Sequence, residues 1–369
     1  MANIAEIDRP SLFPILRGPV ALARMAAEAE PAGVGYEVEF KTLEARSILN
    51  RSISRRQLSL TWSINPYRGC EFACRYCYAR YTHEFLEPAG ATAPLVSDAV
   101  DSADPQEPQV WATAFERRIY IKQHAAWLLE QDLRKVGPGE EIALGTATDP
   151  YQPIERKAGV TRSLLEVFAR KSRHRIGIVT KSNLILRDID LLQQIAERNT
   201  LVVHVTITTA DTELARKLEP RAPRPDLRFQ AVAKLREAGL TAGIFASPLL
   251  LGITDTPESL DRVAARAAYA RASFLAAHPL FLKQCSRPTY LSFVREYFPT
   301  LLPMYEEHFR TADFAGAAYK EKMAAMVREV CRRHHLPQRS TDALLTRDAG
   351  SMKKGPVTCG ATEQQRLFA

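Results

Sequence analysis

Asn65-Pro-Tyr-Arg-Gly-Cys70-Glu-Phe-Ala-Cys74-Arg-Tyr-Cys77-Tyr-Ala-Arg80 holds three of the chain's six cysteines within eight residues. Three thiolates can hold three corners of a cubane 4Fe-4S cluster. A loop that supplies three, with no fourth nearby, leaves the last iron open to another ligand. The spacing Cys-x3-Cys-x2-Cys argues against plainer sites. Structural zinc asks for four ligands, commonly as two Cys/His pairs, and His83 follows Cys77 by six residues with no partner of its own. A disulfide framework asks for an even count in a short secreted chain. Unconnected buried thiols are the bland alternative, although buried cysteines rarely crowd one loop.

The 369 residues leave room for one large α/β domain with extensions, or for two domains. Apolar content of 46% and charged content of 25% match a folded protein with ample core material. No run of 18 or more apolar residues occurs, which excludes a spanning helix. The N-terminus lacks a basic region followed by an apolar one, so a cytoplasmic location is expected, with no membrane partner. Net charge is +8, with a pI of about 9.2. That balance permits nucleic-acid binding without requiring it.

Along the chain, residues 1–57 read as a basic N-terminal extension, in which Arg46, Arg51, Arg55 and Arg56 form either a phosphate-facing arm or a solvated face. From Leu58 a short apolar or β-branched run alternates with an amphipathic run of ten or more residues. Strands are expected at Leu58–Ile64, Ile142–Thr146, Ile176–Thr180, Leu201–Thr208, Thr241–Ser247 and Phe274–Leu282. Helices are expected at Thr161–Lys171, Arg187–Arg198, Leu227–Ala238, Pro257–Ala272 and Pro288–Tyr297, with Thr161 as an N-cap and Gly239 as a helix stop. Such alternation means an α/β fold of parallel strands and crossover helices. Arg118–Lys122 and helical His124–Arg134 are surplus and read as an insertion at about 87–135. Past Pro299 a helical region, roughly Met304–His335, leads to a polar tail, giving units 1–57, 58–299 and 300–369.

Cys70-x3-Cys74-x-Tyr76-Cys77, with an aromatic before the last Cys, resembles the signature of the radical S-adenosylmethionine superfamily. The preceding Asn65-Pro-Tyr-Arg-Gly is similar to the branch around spore photoproduct lyase, the "DNA repair photolyase" group. That resemblance implies a partial (β/α)6 TIM-type barrel. It also implies a 4Fe-4S cluster on Cys70, Cys74 and Cys77 and S-adenosyl-L-methionine on the open iron. An external one-electron reductant of flavodoxin or ferredoxin type is implied, with reductive cleavage to a 5′-deoxyadenosyl radical that takes hydrogen from substrate. The cofactors carry that chemistry, and the protein positions and shields them.

Barrels of βα units bind ligands at the C-terminal ends of their strands. By resemblance, Thr146, Thr148 and Asp149 lie where the family holds the amino group of S-adenosylmethionine. Lys181, helped by Ser182, is placed for the methionine carboxylate, and Thr206 and Thr208 for the ribose. Tyr76 and Gly252 are placed for the adenine side. Each is also an ordinary polar strand end when taken singly; their joint placement after successive strands is the argument. Glu155, Arg187, Asp188, Glu219 and Arg221 fall in branch-like blocks and read mainly as buried salt-bridge structure.

One feature departs from the branch, and another points to a second class of function. No Cys occurs between Cys77 and Cys285, so Cys285 is the residual candidate hydrogen donor, although an isolated Cys is usually a small buried hydrophobe. The ending Gln364-Gln-Arg-Leu-Phe368 is similar to sliding-clamp docking peptides; packing of Leu367 and Phe368 onto the barrel is the alternative. The leading expectation is therefore a radical SAM enzyme acting on DNA or RNA, by photolyase-like repair or base modification. A small-molecule or protein substrate, and a DNA- or clamp-associated iron–sulfur protein without that chemistry, are the other readings.

Overall fold

The computed structural model describes residues 31–35, 38–51, 60–86, 110–314 and 316–337. The expected clamp peptide Gln364–Phe368, along with Arg55, Arg56 and Cys359, lies outside them. The described strands are β1 (Pro31–Gly35), β2 (Val38–Leu43), β3 (Leu49–Arg51), β4 (Leu60–Ile64), β5 (Tyr67–Arg68), β6 (Arg118–Lys122), β7 (Glu141–Leu144), β8 (Arg175–Thr180), β9 (Thr200–Thr206), β10 (Ala242–Leu249) and β11 (Leu275–Pro279). The principal helices are α1 (Ala125–Asp132), α2 (Val160–Arg170), α3 (Ile189–Arg198), α4 (Thr212–Leu218), α5 (Pro225–Glu237), α6 (Pro257–Tyr269), α7 (Arg287–Tyr297), α8 (Leu302–His308) and α9 (Ala317–Arg333).

The larger sheet runs β11-β10-β9-β8-β7-β4-β3. Its six strands β4 and β7–β11 are parallel and lie in chain order, with only β3 antiparallel at the edge. Because β3 takes the free edge of β4, the sheet is not closed onto β11, and the α/β fold expected from the sequence takes the form of an open curl. Strands sandwiched by helices on one side and core on the other need apolar residues on both faces. Leu201, Val202, Val203 and Val205 of β9 are accordingly buried, on both faces of the strand.

Arg118–Lys122 does not join this sheet. It forms the second one, β1-β2-β6-β5, pairing parallel with β2 and antiparallel with β5. Residues 38–49, expected as an extension, send Val38, Phe40, Ile48 and Leu49 into the main core. The helical region expected over Met304–His335 is broken between α8 and α9, where Asp313 accepts the amide of Leu282 and Phe314 bridges Phe281. The fourth and sixth expected strands end early, at Thr206 and Pro279.

Thr161 is not an N-cap. Gly159 occupies that position in a left-handed conformation (φ 63°) and has no side chain to offer the first amides. Glu155 does so from the preceding turn, accepting from Thr161 N at 2.8 Å and Arg162 N at 3.2 Å, where a carboxylate at a helix start is favoured. The same buried carboxylate accepts from the Tyr67 hydroxyl and from Arg187 at 2.8 Å, and Arg187 in turn binds buried Asp188 at 2.9 Å. Stripping a buried, multiply bonded carboxylate costs on the order of 3–5 kcal/mol. Glu155→Ala is expected to lower unfolding stability by about that amount in urea titration; a loss below about 1 kcal/mol would contradict the capping account.

Candidate active site

The three-cysteine loop leaves the C-terminal end of β4 and is tied down before any ligand is considered. Gly69 has φ +80°, and a Cβ there would stand 2.6 Å from the Arg118 carbonyl and 2.8 Å from that of Phe115, so only glycine lets the loop approach β6. The next amide, of Cys70, donates to Phe115 O at 2.9 Å. On the other side the Gln152 side chain pairs with the loop backbone, accepting from Glu71 N at 2.9 Å and donating to Gly69 O at 3.2 Å. Glu71 reciprocates by accepting from Ile154 N at 2.7 Å. Asn65 Oδ1 accepts from Ala147 N and Thr148 N, fastening the loop after β7 to the same base. Asn65 opens the quoted stretch and Gln152 lies outside it, and neither is marked by the sequence as a fastening residue; a buried side-chain amide carries no pattern of its own.

Tyr76 turns its hydroxyl into the barrel, onto Glu219 and, at 2.9 Å, onto Thr208. Glu219 also accepts from Thr208 at 3.1 Å and pairs with Arg228 at 2.5 Å, both side chains being 1% exposed. Burial alone would raise the Glu219 pKa, but Arg228 and Lys181 outweigh it and hold the carboxyl below its ordinary range. Lys181 is half-buried, with its ammonium 5.6 Å from the Tyr76 ring centroid. Among the described residues no carboxylate reaches it at ion-pair distance. Burial would lower its pKa, yet the fields of Cys74 and Glu219 raise it, so the lysine is a cation facing the thiols.

Cys70 and Cys74 are buried, Cys77 is half-buried, and none forms a disulfide. Burial pushes all three thiols up, Cys74 to about 12, with Lys181 opposing. The backbone of Asp149 opposes that rise at Cys70, and the backbone of Ala79 opposes it at Cys77. Mutually close thiols beside such backbone groups suit an iron–sulfur cluster, in which metal replaces the proton and amides tune the sulfurs. Among the described residues no three His, Cys, Asp or Glu groups converge on one metal ion; a cubane asks its thiolates to spread over separate irons. Burial raises the Cys285 thiol, and its neighbour Ser286 donates to Cys77 O at 2.8 Å.

The remaining expected residues fall into two groups. Asp149, Thr180, Lys181 and Ser182 meet at one corner: Asp149 accepts from Thr180 Oγ1 and Lys181 N, both at 2.7 Å, and Ser182 N donates to Thr180 Oγ1 at 2.9 Å. Thr146 and Thr148 line the same loop, bonded to Asn65 at 3.3 Å and to Tyr67 O at 3.2 Å. Thr206 is buried and gives its carbonyl to Arg228 at 3.1 Å. Gly252 is exposed in a left-handed turn (φ +69°), where a Cβ would approach Leu301 at 3.1 Å. Beneath the loop, Tyr290, Phe293, Tyr305 and Phe309 pack with Cys70, Cys74 and Tyr76 in one apolar cluster.

Residues 64–266 match the profile of the radical SAM superfamily. The chain belongs to that superfamily. Membership implies an enzyme that uses S-adenosylmethionine and an iron–sulfur cluster. An uncharacterized protein of Mycobacterium tuberculosis strain H37Rv is 29% identical over 300 residues, covering 81% of this chain and 82% of that one. An uncharacterized protein of Methanocaldococcus jannaschii is 27% identical over 192 residues, 52% of this chain and 61% of its own. Among solved structures, the fold is similar to spore photoproduct lyase complexed with dinucleoside spore photoproduct. That match has a TM-score of 0.56 and 15% identity, covering 83% of this chain and 85% of that chain. A mutant of the same lyase with bound AdoMet and the dinucleoside matches with a TM-score of 0.54 and 14% identity, over 80% of this chain and 79% of that chain. Among the described residues no helix of this radical SAM protein is long and apolar enough to cross a membrane.

Arg228 touches none of the thiols and acts through Glu219. Arg228→Met should cost about 3–5 kcal/mol by leaving that carboxylate buried and unpaired. The double variant Arg228→Met/Glu219→Leu should recover most of the loss, measured by chemical denaturation; no recovery would place the cost in packing instead.

Proposed function

We propose that Cys70, Cys74 and Cys77 hold a 4Fe-4S cluster and that the chain cleaves S-adenosylmethionine reductively to act on a nucleic-acid substrate. The observation that carries the reading is Lys181: a half-buried cation without a carboxylate partner, set over Tyr76 and facing the thiol of Cys74. Such a charge asks for an anion beside the cluster loop, and the methionine carboxylate supplies one. When bound, the cluster supplies one electron, from a flavodoxin- or ferredoxin-type reductant, to break the sulfonium C5′–S bond and yield methionine and a 5′-deoxyadenosyl radical.

The chain's own residues do the positioning. Lys181 binds the carboxylate, while Thr146, Thr148 and Asp149, on the loop that Asn65 fastens, stand on the amino-group side. Tyr76, fixed through Glu219, offers its ring to the adenine, with Thr206, Thr208 and Gly252 on the nucleoside side and Ser182 supporting Lys181. Cys285, whose neighbour Ser286 bonds Cys77 O, is the candidate thiol to return hydrogen to substrate. Nucleic acid is favoured as substrate by the net charge of +8 and by the dinucleoside bound in the structurally similar lyase.

Anaerobically reconstituted protein given dithionite and S-adenosylmethionine should release 5′-deoxyadenosine, and Cys74→Ala should release none. Lys181→Met should keep the cluster absorbance while raising the half-saturating S-adenosylmethionine concentration by about 10–100-fold, the worth of one charge-assisted bond. An intact cluster with no cleavage would reject the enzyme reading. Deuterium transfer into 5′-deoxyadenosine from labelled UV-irradiated DNA or from labelled tRNA reads the substrate, and transfer from neither would reject the nucleic-acid reading alone.

A further inference from the structure

Lys122 ends β6 with 5% of its surface exposed, and among the described residues its ammonium has no hydrogen-bond or ion-pair partner. The neighbouring charge is another cation. Arg68 faces Tyr120 across the β5–β6 ribbon, and the amide of Lys122 bonds the carbonyl of Pro66, so Arg68 and Lys122 are diagonal neighbours on one face. Arg68 gives one long bond to Thr82 O at 3.4 Å and buries its Nε without a partner. His83 stacks edge-on against Tyr120, ring centroids 6.0 Å apart, with Nε2 at 3.0 Å from Arg118 O and a buried, unpartnered Nδ1.

Among the described residues no acid pairs with either cation. The field of Asp132 reaches Lys122, but its carboxylate is spent on Lys135 at 2.6 Å, Ser47 at 2.7 Å and the amides of Ile48 and Leu49 at 2.8 and 3.2 Å. Burial and Arg68 push Lys122 down to about 7, and burial pushes His83 down to about 3. Adjacent buried cations without a counter-charge are costly, and an anion between them removes the cost.

We propose that Arg68 and Lys122, with the imidazole of His83 beside them, form a binding site for a tetrahedral oxyanion of the phosphate class. The free donors, a guanidinium Nε–H and an ammonium, come from two separate side chains, and an anion with oxygens on several sides can meet both. With its Nε2 donating to Arg118 O, His83 keeps a lone pair on Nδ1, which accepts a hydrogen bond from the hydroxyl of a monoprotonated oxyanion. The site is next to the cluster loop, since Arg68 precedes Cys70 by two residues. Free inorganic phosphate and the terminal phosphate of a nucleic-acid strand offer the same chemistry, and the site stands whichever substrate reading holds.

The test is the thermal midpoint of the anaerobically reconstituted protein in inorganic phosphate, against potassium chloride at equal ionic strength. At about ten times the half-saturating phosphate, wild type should melt about 2–4 °C higher than in chloride. Lys122→Met and Arg68→Gln should each lose that shift. A wild-type midpoint that does not distinguish phosphate from chloride, or a shift kept by both variants, overturns the site. A second arm compares 5′-phosphorylated and unphosphorylated oligonucleotides by fluorescence anisotropy. Preference for the phosphorylated strand in wild type and not in Lys122→Met assigns the anion to a strand end, and equal binding alongside the phosphate shift assigns it to the free ion.

Discussion

The carboxylate of Glu219 is buried between a guanidinium and a phenol, and the geometry of the candidate active site runs through it. Burying an anion is tolerable only if several donors meet it. Here Tyr76 arrives from the cysteine loop, Thr208 from the segment after β9, and Arg228 from α5. Three separate parts of the chain are thereby registered against one another at a single point. The same charge helps keep Lys181 protonated, so the structural anion and the half-buried cation are two halves of one electrostatic arrangement.

Around that point the fold does what parallel βα units do: it collects the polar ends of successive strands into one mouth. Most of the hydrogen bonds there are spent on the protein itself. Asp149 joins the loop after β7 to the end of β8, and Gln152 and Glu71 lace that loop to the cysteine segment. The apolar floor of Tyr290, Phe293, Tyr305 and Phe309 comes from beyond the sixth strand. Side chains held in this way on rigid elements present a ligand with a shape formed in advance.

The parallel strand order and the cysteine loop were legible because each has a local signature: apolar runs alternating with amphipathic ones, and thiols at a fixed spacing. The second sheet was not, since Arg118–Lys122 pairs with Val38–Leu43, far away in sequence and in a stretch that reads as an arm. Capping at α2 was misread for a related reason. Thr161 has the composition of an N-cap, but the donor amides are met by Glu155, which sequence pattern associates with the preceding turn. Lys181 was legible from its position after β8, whereas its dependence on Arg228 and Glu219 is visible only once α5 is packed. Partnerships across the barrel have no sequence period, and those were the ones missed.

The hydrogen bond from Ser286 to the Cys77 carbonyl joins residues 209 positions apart. A chain made from its N-terminus outward exposes the three cysteines long before Ser286, Tyr290 or Tyr305 exist to cover them. The thiols therefore leave the ribosome on an unfinished surface, open to oxidants and to stray metal, and acquire their apolar floor only when the last parallel strand and the helices after it have followed. Maturation of such a centre is a matter of timing as well as of affinity. A cluster on these thiols, as proposed above, would be most easily loaded before that floor is in place.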